Sequence, residues 1–258
     1  MFRVSAIDRW IQVFIPKPLA ALRIVCFPYA GGTALAFRQW ADLLPQWMEV
    51  CAVQLPGRLQ SIDRPPFTAM TDLVPPLTDA VAQLCDRPCV FFGHSLGAVV
   101  SFEVSRWLRC CYDTAPAHLF VSGRRAPHIP DSAPTVYDQS GEEVLRKLQR
   151  LNGTAPEVLD DPDLIDMLLP MLRADFQLVE TYRHREDAPL SCPITAFGGA
   201  EDAETVGENL EAWGAHTARR FTRHVLPGDH FFIRSSERRL LDLIRLELAT
   251  EQCISAWG

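Results

Sequence analysis

The run Gly93-His94-Ser95-Leu96-Gly97 constrains this chain more than any other stretch. Four apolar residues, Cys89-Val90-Phe91-Phe92, lead into it, and a helix-like run over 96–104 leads out. A serine between a strand end and a helix start, with glycine two places before and two after, fits the sharp turn known as a nucleophile elbow. Side chains at the flanking positions would clash with neighbouring backbone, so glycine is needed there. The turn holds the hydroxyl clear of the sheet, and the helix N-terminus adds positive partial charge beside it. The pentapeptide alone arises by chance in roughly one in ten chains of this length. The strand–turn–helix context and the rest of the chain must therefore carry the argument.

That context is a regular alternation. Strands are predicted over 10–15, 22–28, 50–55, 89–92, 119–122, 193–197 and 221–226, with helices over 34–47, 68–85, 96–111, 203–216 and 235–249. Pro75-Pro76 is expected to kink the second helix or start it afresh. Strands alternating with helices give an α/β class with a mostly parallel sheet covered on both faces. Residues 128–190 break the rhythm. They read as helices near 140–151, 161–172 and 173–184, punctuated by prolines, with leucines that need an apolar surface to cover. This is an insertion, so the core is expected to comprise 1–127 and 191–258 as one domain.

In a parallel sheet the loops at the strand C-terminal ends gather the chemistry. Four of them hold unusual residues: 28–33, 93–97, 198–202 and 227–230. A serine hydroxyl needs a base, and the base needs an orienting acid. His230, late in the chain at a Pro-Gly turn, is the candidate base, in the order nucleophile, acid, histidine of α/β-hydrolase folds. The other histidines, His94, His118, His128, His184, His216 and His224, are expected in surface or packing roles. Asp202, after Gly198-Gly199, is the favoured acid. Glu201 is its immediate competitor, Asp229 is too close to His230 in sequence to reach the far imidazole nitrogen, and the loop after 119–122 offers no acid before Asp131. The amides of Leu96 and of Ala30, in Tyr29-Ala30-Gly31-Gly32, are candidate oxyanion donors. Gly31-Gly32 is not a phosphate loop, since no GxxxxGK[ST] pattern is present.

Composition excludes other classes. The 258 residues suffice for one full core. A net charge of −7 gives no global basic field for nucleic acid or an anionic membrane. No apolar run approaches the ~18 residues of a membrane span, and the short apolar piece 10–15 contains Gln12 and reads as a strand. The eight cysteines form no CxxC pair and are expected as small buried hydrophobes in a reducing cytosol, without metal.

The motifs together resemble the type II thioesterases, the stand-alone editing enzymes of polyketide and non-ribosomal peptide assembly lines. The pieces are Phe27-Pro28-Tyr29-Ala30-Gly31-Gly32, Gln54-Leu55-Pro56-Gly57-Arg58, Phe92 to Ala98, Ser122-Gly123-Arg124-Arg125-Ala126-Pro127, Leu172-Arg173-Ala174-Asp175-Phe176 and Gly228-Asp229-His230-Phe231-Phe232. The resemblance implies an α/β-hydrolase fold, Ser95 as nucleophile, Asp202 as acid, His230 as base, Ala30 and Leu96 as oxyanion donors, and 128–190 as a helical lid. It implies no cofactor, and as substrate an acyl chain on the phosphopantetheine arm of an acyl or peptidyl carrier protein. A cytoplasmic monomer is the simplest form. Arg58, Arg64, Arg124 and Arg125 are candidates for docking an acidic carrier, against the reading that they are ordinary surface arginines. Two other readings stay open on the residues: an oxygen-ester hydrolase, which the same three side chains would serve, and a catalytically silent binding module, against which an intact set argues.

Overall fold

The computed structural model describes residues 9–131, 133–151, 161–205 and 207–250. Among these, β1 (Ile11–Gln12), β2 (Leu22–Phe27), β3 (Met48–Val53), β4 (Cys89–His94), β5 (His118–Ser122), β6 (Ile194–Gly199) and β7 (Phe221–Leu226) form one sheet in the order β1-β3-β2-β4-β5-β6-β7. Only β1 runs antiparallel, against β3. The helices are α1 (Trp40–Leu43), α2 (Met70–Ala82), α3 (Leu96–Tyr112), α4 (Gly141–Arg150), α5 (Pro162–Glu180), α6 (Glu208–Glu211), α7 (Phe232–Ser235) and α8 (Glu237–Thr250).

The twofold alternation of strand side chains makes two apolar layers. Val25, Phe27, Phe91, Leu119 and Val121 join Leu73, Leu77, Val100 and Val104 of α2 and α3 on one face. Ile24, Cys26, Val90, Phe92 and Phe120 join Trp40, Leu240 and Ile244 of α1 and α8 on the other. Burial on both faces explains why the strands read as nearly continuous apolar runs. Between β5 and β6, α4 and α5 build a smaller cluster from Val144, Leu148, Met171, Leu172 and Phe176, with Ala30 packed against it.

Several elements depart from the sequence expectation. The expected helix 34–47 is a 3-10 turn, Ala34–Phe37, followed by α1. Leu44 is extended, at φ −84° and ψ 147°, because Pro45 disfavours helical backbone in the residue before it. The two helices expected over 161–172 and 173–184 are one, α5, which runs through Pro170, and α2 runs through Pro75 and Pro76 without restarting. Each proline removes one helical hydrogen bond. The burial of Met171, Leu172, Phe176 and Leu178 in α5, and of Leu73, Leu77 and Val81 in α2, outweighs that loss. The helix expected over 203–216 shortens to α6 and a 3-10 segment, Ala212–His216. Cys26, Cys51, Cys89 and Cys192 are buried as expected. Cys110 and Cys111 are not: they lie exposed in the last turn of α3, where the apolar face has ended, and Cys253 lies outside the described residues.

The strand order reverses direction between β2 and β4. The chain passes from β2 to β3 on one side and resumes at β4 on the other. Loops after these two strands diverge and leave a crevice at the sheet's C-terminal edge.

Candidate active site

Ser95 sits at that switch point with φ +55° and ψ −114°, a backbone conformation that side-chain-bearing residues rarely adopt. Holding it costs about 1–3 kcal/mol, which the surrounding packing supplies. A Cβ at Gly93 would lie 2.1 Å from the Gly97 carbonyl oxygen, and one at Gly97 would lie 2.1 Å from the Phe27 carbonyl oxygen. The elbow is thus pressed against both its own helix and the end of β2. The Ser95 amide donates to the Ser122 carbonyl at 2.8 Å. Its hydroxyl makes no cap hydrogen bond to α3.

The neighbouring strands β6 and β7 end in register, Gly199 opposite Leu226. Beyond them Ala200 N–H donates to the Leu226 carbonyl and Glu201 N–H to the Gly228 carbonyl, which binds the two loops together. This brings Asp202 Oδ2 to 3.0 Å from His230 Nδ1. Both side chains are buried, at 3% and 4% exposure. An ionised carboxylate only accepts, so Nδ1 carries the proton and Nε2 presents its lone pair. Asp202 Oδ1 also accepts from the Glu204 amide at 3.0 Å. Glu201 is exposed, Asp229 caps its own turn by accepting from Phe231 N–H at 2.8 Å, and Asp131 faces Arg124 and Arg125. Of the acids weighed from sequence, the fold brings Asp202 to the histidine.

Aromatic contacts join the loops. The His94 ring, next to Ser95 in the chain, lies 5.2 Å from the His230 ring, and Tyr29 packs edge-on to both His94 and Phe231. His94 itself is fully buried, with Nδ1 2.9 Å from Ser122 Oγ. Burial, with His230 next to it, pushes its pKa well below the usual histidine value, so it is neutral. His118, on β5, is likewise buried and bonded to Thr195.

On the other side of Ser95 is the 28–32 loop. Gly32 N–H donates to the Tyr29 carbonyl and Gly31 N–H to Asp175 Oδ2, which leaves the Ala30 amide as the donor for a ligand among these three. Leu96 N–H opens α3, where an amide has no intrahelical acceptor. One turn further along α3, Val99 lines a cavity of about 880 Å³ bounded by Arg124, Ile129, Val179, Tyr182 and His216.

These features are matched by known proteins. Residues 22–247 fit the family model of the thioesterase domain. The chain belongs to the thioesterase family. This thioesterase is similar to linear gramicidin dehydrogenase LgrE of Brevibacillus parabrevis, 42% identical over 246 residues covering 93% of each chain. It is 39% identical over 245 residues to gramicidin S biosynthesis protein GrsT of Aneurinibacillus migulanus, covering 95% and 96% of the two chains. Among solved structures it resembles the type II thioesterase BorB of the borrelidin biosynthetic cluster, with 34% identity, a TM-score of 0.86 and coverage of 93% and 98%. The dehydrogenase in the first name belongs to that protein. No Gly-x-Gly occurs anywhere in the present sequence, so the dinucleotide fingerprint is missing from it. The α/β-hydrolase fold, the membership of the type II thioesterase group and thioester hydrolysis all agree with the sequence reading.

The docking expectation fails for one of its four arginines. Arg58 is 4% exposed and forms a two-pronged ion pair with Asp175, at 2.7 and 3.0 Å, so it cannot meet a docking partner. Arg124 and Arg125 share Glu204, and Arg64 lies over the Trp10 ring. Asp175 had no role in the sequence reading. It entered there only as a member of the Leu172-Arg173-Ala174-Asp175-Phe176 motif. Among the described residues no helix is long and apolar enough to cross a membrane, and no cluster suited to a metal ion occurs.

Proposed function

We propose that this thioesterase hydrolyses acyl thioesters carried on the phosphopantetheine arm of acyl or peptidyl carrier proteins, unloading assembly lines of the kind its relatives serve. The observation that carries the reading is the Asp202–His230 pair held beside a serine elbow, in a chain so similar to GrsT and BorB. Ser95 Oγ attacks the thioester carbonyl while His230 Nε2 takes its proton. Asp202 holds the imidazolium through Nδ1. The negative charge on the tetrahedral oxygen is met by the Ala30 and Leu96 amides. The carbon–sulfur bond breaks, His230 returns the proton to the departing thiolate, and an acyl-serine ester remains. Water, deprotonated by His230, attacks that ester. The acid leaves, and Ser95 recovers its proton.

Residues 128–190 serve as a lid, a reading supported by the packing of Ala30 against the α4–α5 cluster. Of the docking candidates, Arg64, Arg124 and Arg125 remain. The cytoplasm is the compartment we assign, since the exposed and unbridged Cys110 and Cys111 suit reducing conditions.

The test is a panel of acyl groups on carrier proteins, on coenzyme A and as p-nitrophenyl esters, with Ser95→Ala as control. Carrier-bound thioesters should be preferred, and the variant should lose ~10³–10⁶-fold in turnover. Near wild-type turnover by Ser95→Ala would sink the mechanism. A preference for oxygen esters would favour the esterase reading.

A further inference from the structure

The geometry points to Arg58 and Asp175 as positioning residues of the oxyanion hole, through which the seating of α5 sets the direction of the Ala30 amide. The inference rests on the reading of Ala30 as an oxyanion donor.

Asp175, on α5, is 1% exposed and accepts three hydrogen bonds at once. Oδ1 accepts from Arg58 Nη2 at 2.7 Å. Oδ2 accepts from Arg58 Nη1 at 3.0 Å and from the Gly31 amide at 2.8 Å. Arg58 Nη1 also donates to the Gly32 carbonyl at 2.8 Å, and Nε to the Pro56 carbonyl at 3.3 Å. The pair therefore grips the Ala30–Gly31 and Gly32–Thr33 peptide units, the first of them immediately after Ala30. Gln54 extends the grip: Oε1 accepts from Ala34 N–H at 3.0 Å.

Apolar packing acts on the same loop. Ala30 packs against the α4–α5 cluster, and the space a Cβ would take at Gly31 is filled to within 2.7 Å by Leu172 Cδ2 of α5. Gly31 is at φ +73°. No regular ladder holds this loop, so its conformation is fixed by the contacts from α5 and from the 54–58 loop. An amide in an oxyanion hole must sit within a few tenths of an ångström of where the charge develops. A buried charge pair with a bidentate fork supplies that rigidity, where a single neutral hydrogen bond would not. It also explains why two charged residues, 117 apart in sequence, are buried together against the loop that carries Ala30.

The test separates positioning from folding. Asp175→Asn keeps the shape and removes the charge. Arg58→Lys keeps the charge but replaces the planar two-pronged fork with a single ammonium. The pair of readouts is turnover of a thioester and affinity for two analogues: a trifluoromethyl ketone, whose adduct with Ser95 carries an oxyanion, and a non-electrophilic thioether of the same chain. We expect kcat to fall ~10–100-fold in Asp175→Asn and less in Arg58→Lys, with KM within about threefold. Ketone affinity should fall in parallel while thioether affinity is unchanged. A merely structural role would lower the folded fraction and move both analogues alike, and that result overturns the inference. So does wild-type kcat with an unchanged ketone-to-thioether ratio in Arg58→Lys, the variant that retains the buried charge pair and decides the matter if Asp175→Asn does not fold. Failure of the underlying reading is distinguishable: turnover by Ser95→Ala would remove the catalytic assignment itself, whatever Arg58 and Asp175 do.

Discussion

Asp202 reaches His230 across 28 residues of chain, Oδ2 to Nδ1 at 3.0 Å, while Glu201, its immediate neighbour, points to solvent. The parallel register of β6 with β7 brings both loops to the same level of the sheet, and the turn at 200–202 selects which carboxylate faces inward. The carboxylate that meets His230 is thus selected by backbone direction.

This choice predicts unequal losses. Asp202→Asn should reduce kcat/KM by ~10³–10⁴-fold, since the amide leaves the imidazole without its anionic partner and in the wrong tautomer. Glu201→Gln should stay within about threefold. Steady-state hydrolysis of one thioester by both variants checks this, and a larger loss in Glu201→Gln would reverse the assignment.

The elbow predicts a strict steric limit. At Gly97 an added methyl meets the Phe27 carbonyl, which is backbone and cannot rotate away. Gly97→Ala should destabilise by about 3 kcal/mol or more and abolish labelling of Ser95 by a fluorophosphonate. Denaturant unfolding and gel fluorescence measure the two effects. A variant with normal stability and normal labelling would show that the β2–α3 contact is not required.

The histidine cluster beside the cavity predicts a pH dependence of stability. His128 Nδ1 lies 2.7 Å from His216 Nε2, and His184 stacks edge-on to His216. Burial first, then His128, His184 and Arg106, push the pKa of His216 down to about 4. The unfolded residue titrates near 6.5. Between those values the unfolded chain holds a proton that the folded chain does not. The stabilisation is complete above pH ~6.5 and is lost as the pH falls toward 4. The melting temperature should drop between pH 7 and pH 5 by more in the wild type than in His216→Gln. Equal drops would exclude His216 as the source.

Thiol reactivity should follow burial. Burial pushes the Cys51 thiol up to about 12 and that of Cys26 well above its ordinary value, whereas Cys110 and Cys111 are exposed. Native alkylation read by peptide mass spectrometry should modify Cys110 and Cys111 and spare Cys26, Cys51, Cys89 and Cys192. Modification of the buried set at native pH, without unfolding, would contradict the packing.

The elbow, the strand–helix alternation and the late histidine were legible because each depends on short-range chemistry. Glycine is forced where two backbones nearly touch, apolar runs mark strands buried on both faces, and a Pro-Gly turn marks the end of β7. Helix ends were legible only in part. Pro75-Pro76 and the junction at 172–173 looked like breaks, but the burial of Leu77, Phe176 and Leu178 continues past them, and that energy depends on what lies opposite.

The sequence by itself determined the fold class and the identity of Ser95 and His230 as candidates, because each of those signals is contained within a few residues of its own stretch of chain. The tertiary structure decided which carboxylate meets the histidine and turned Arg58 from a surface candidate into the buried partner of Asp175. Both outcomes depend on contacts across 28 and 117 residues. Such contacts are set by strand register and helix placement, and the residues that make them carry no local mark of the pairing.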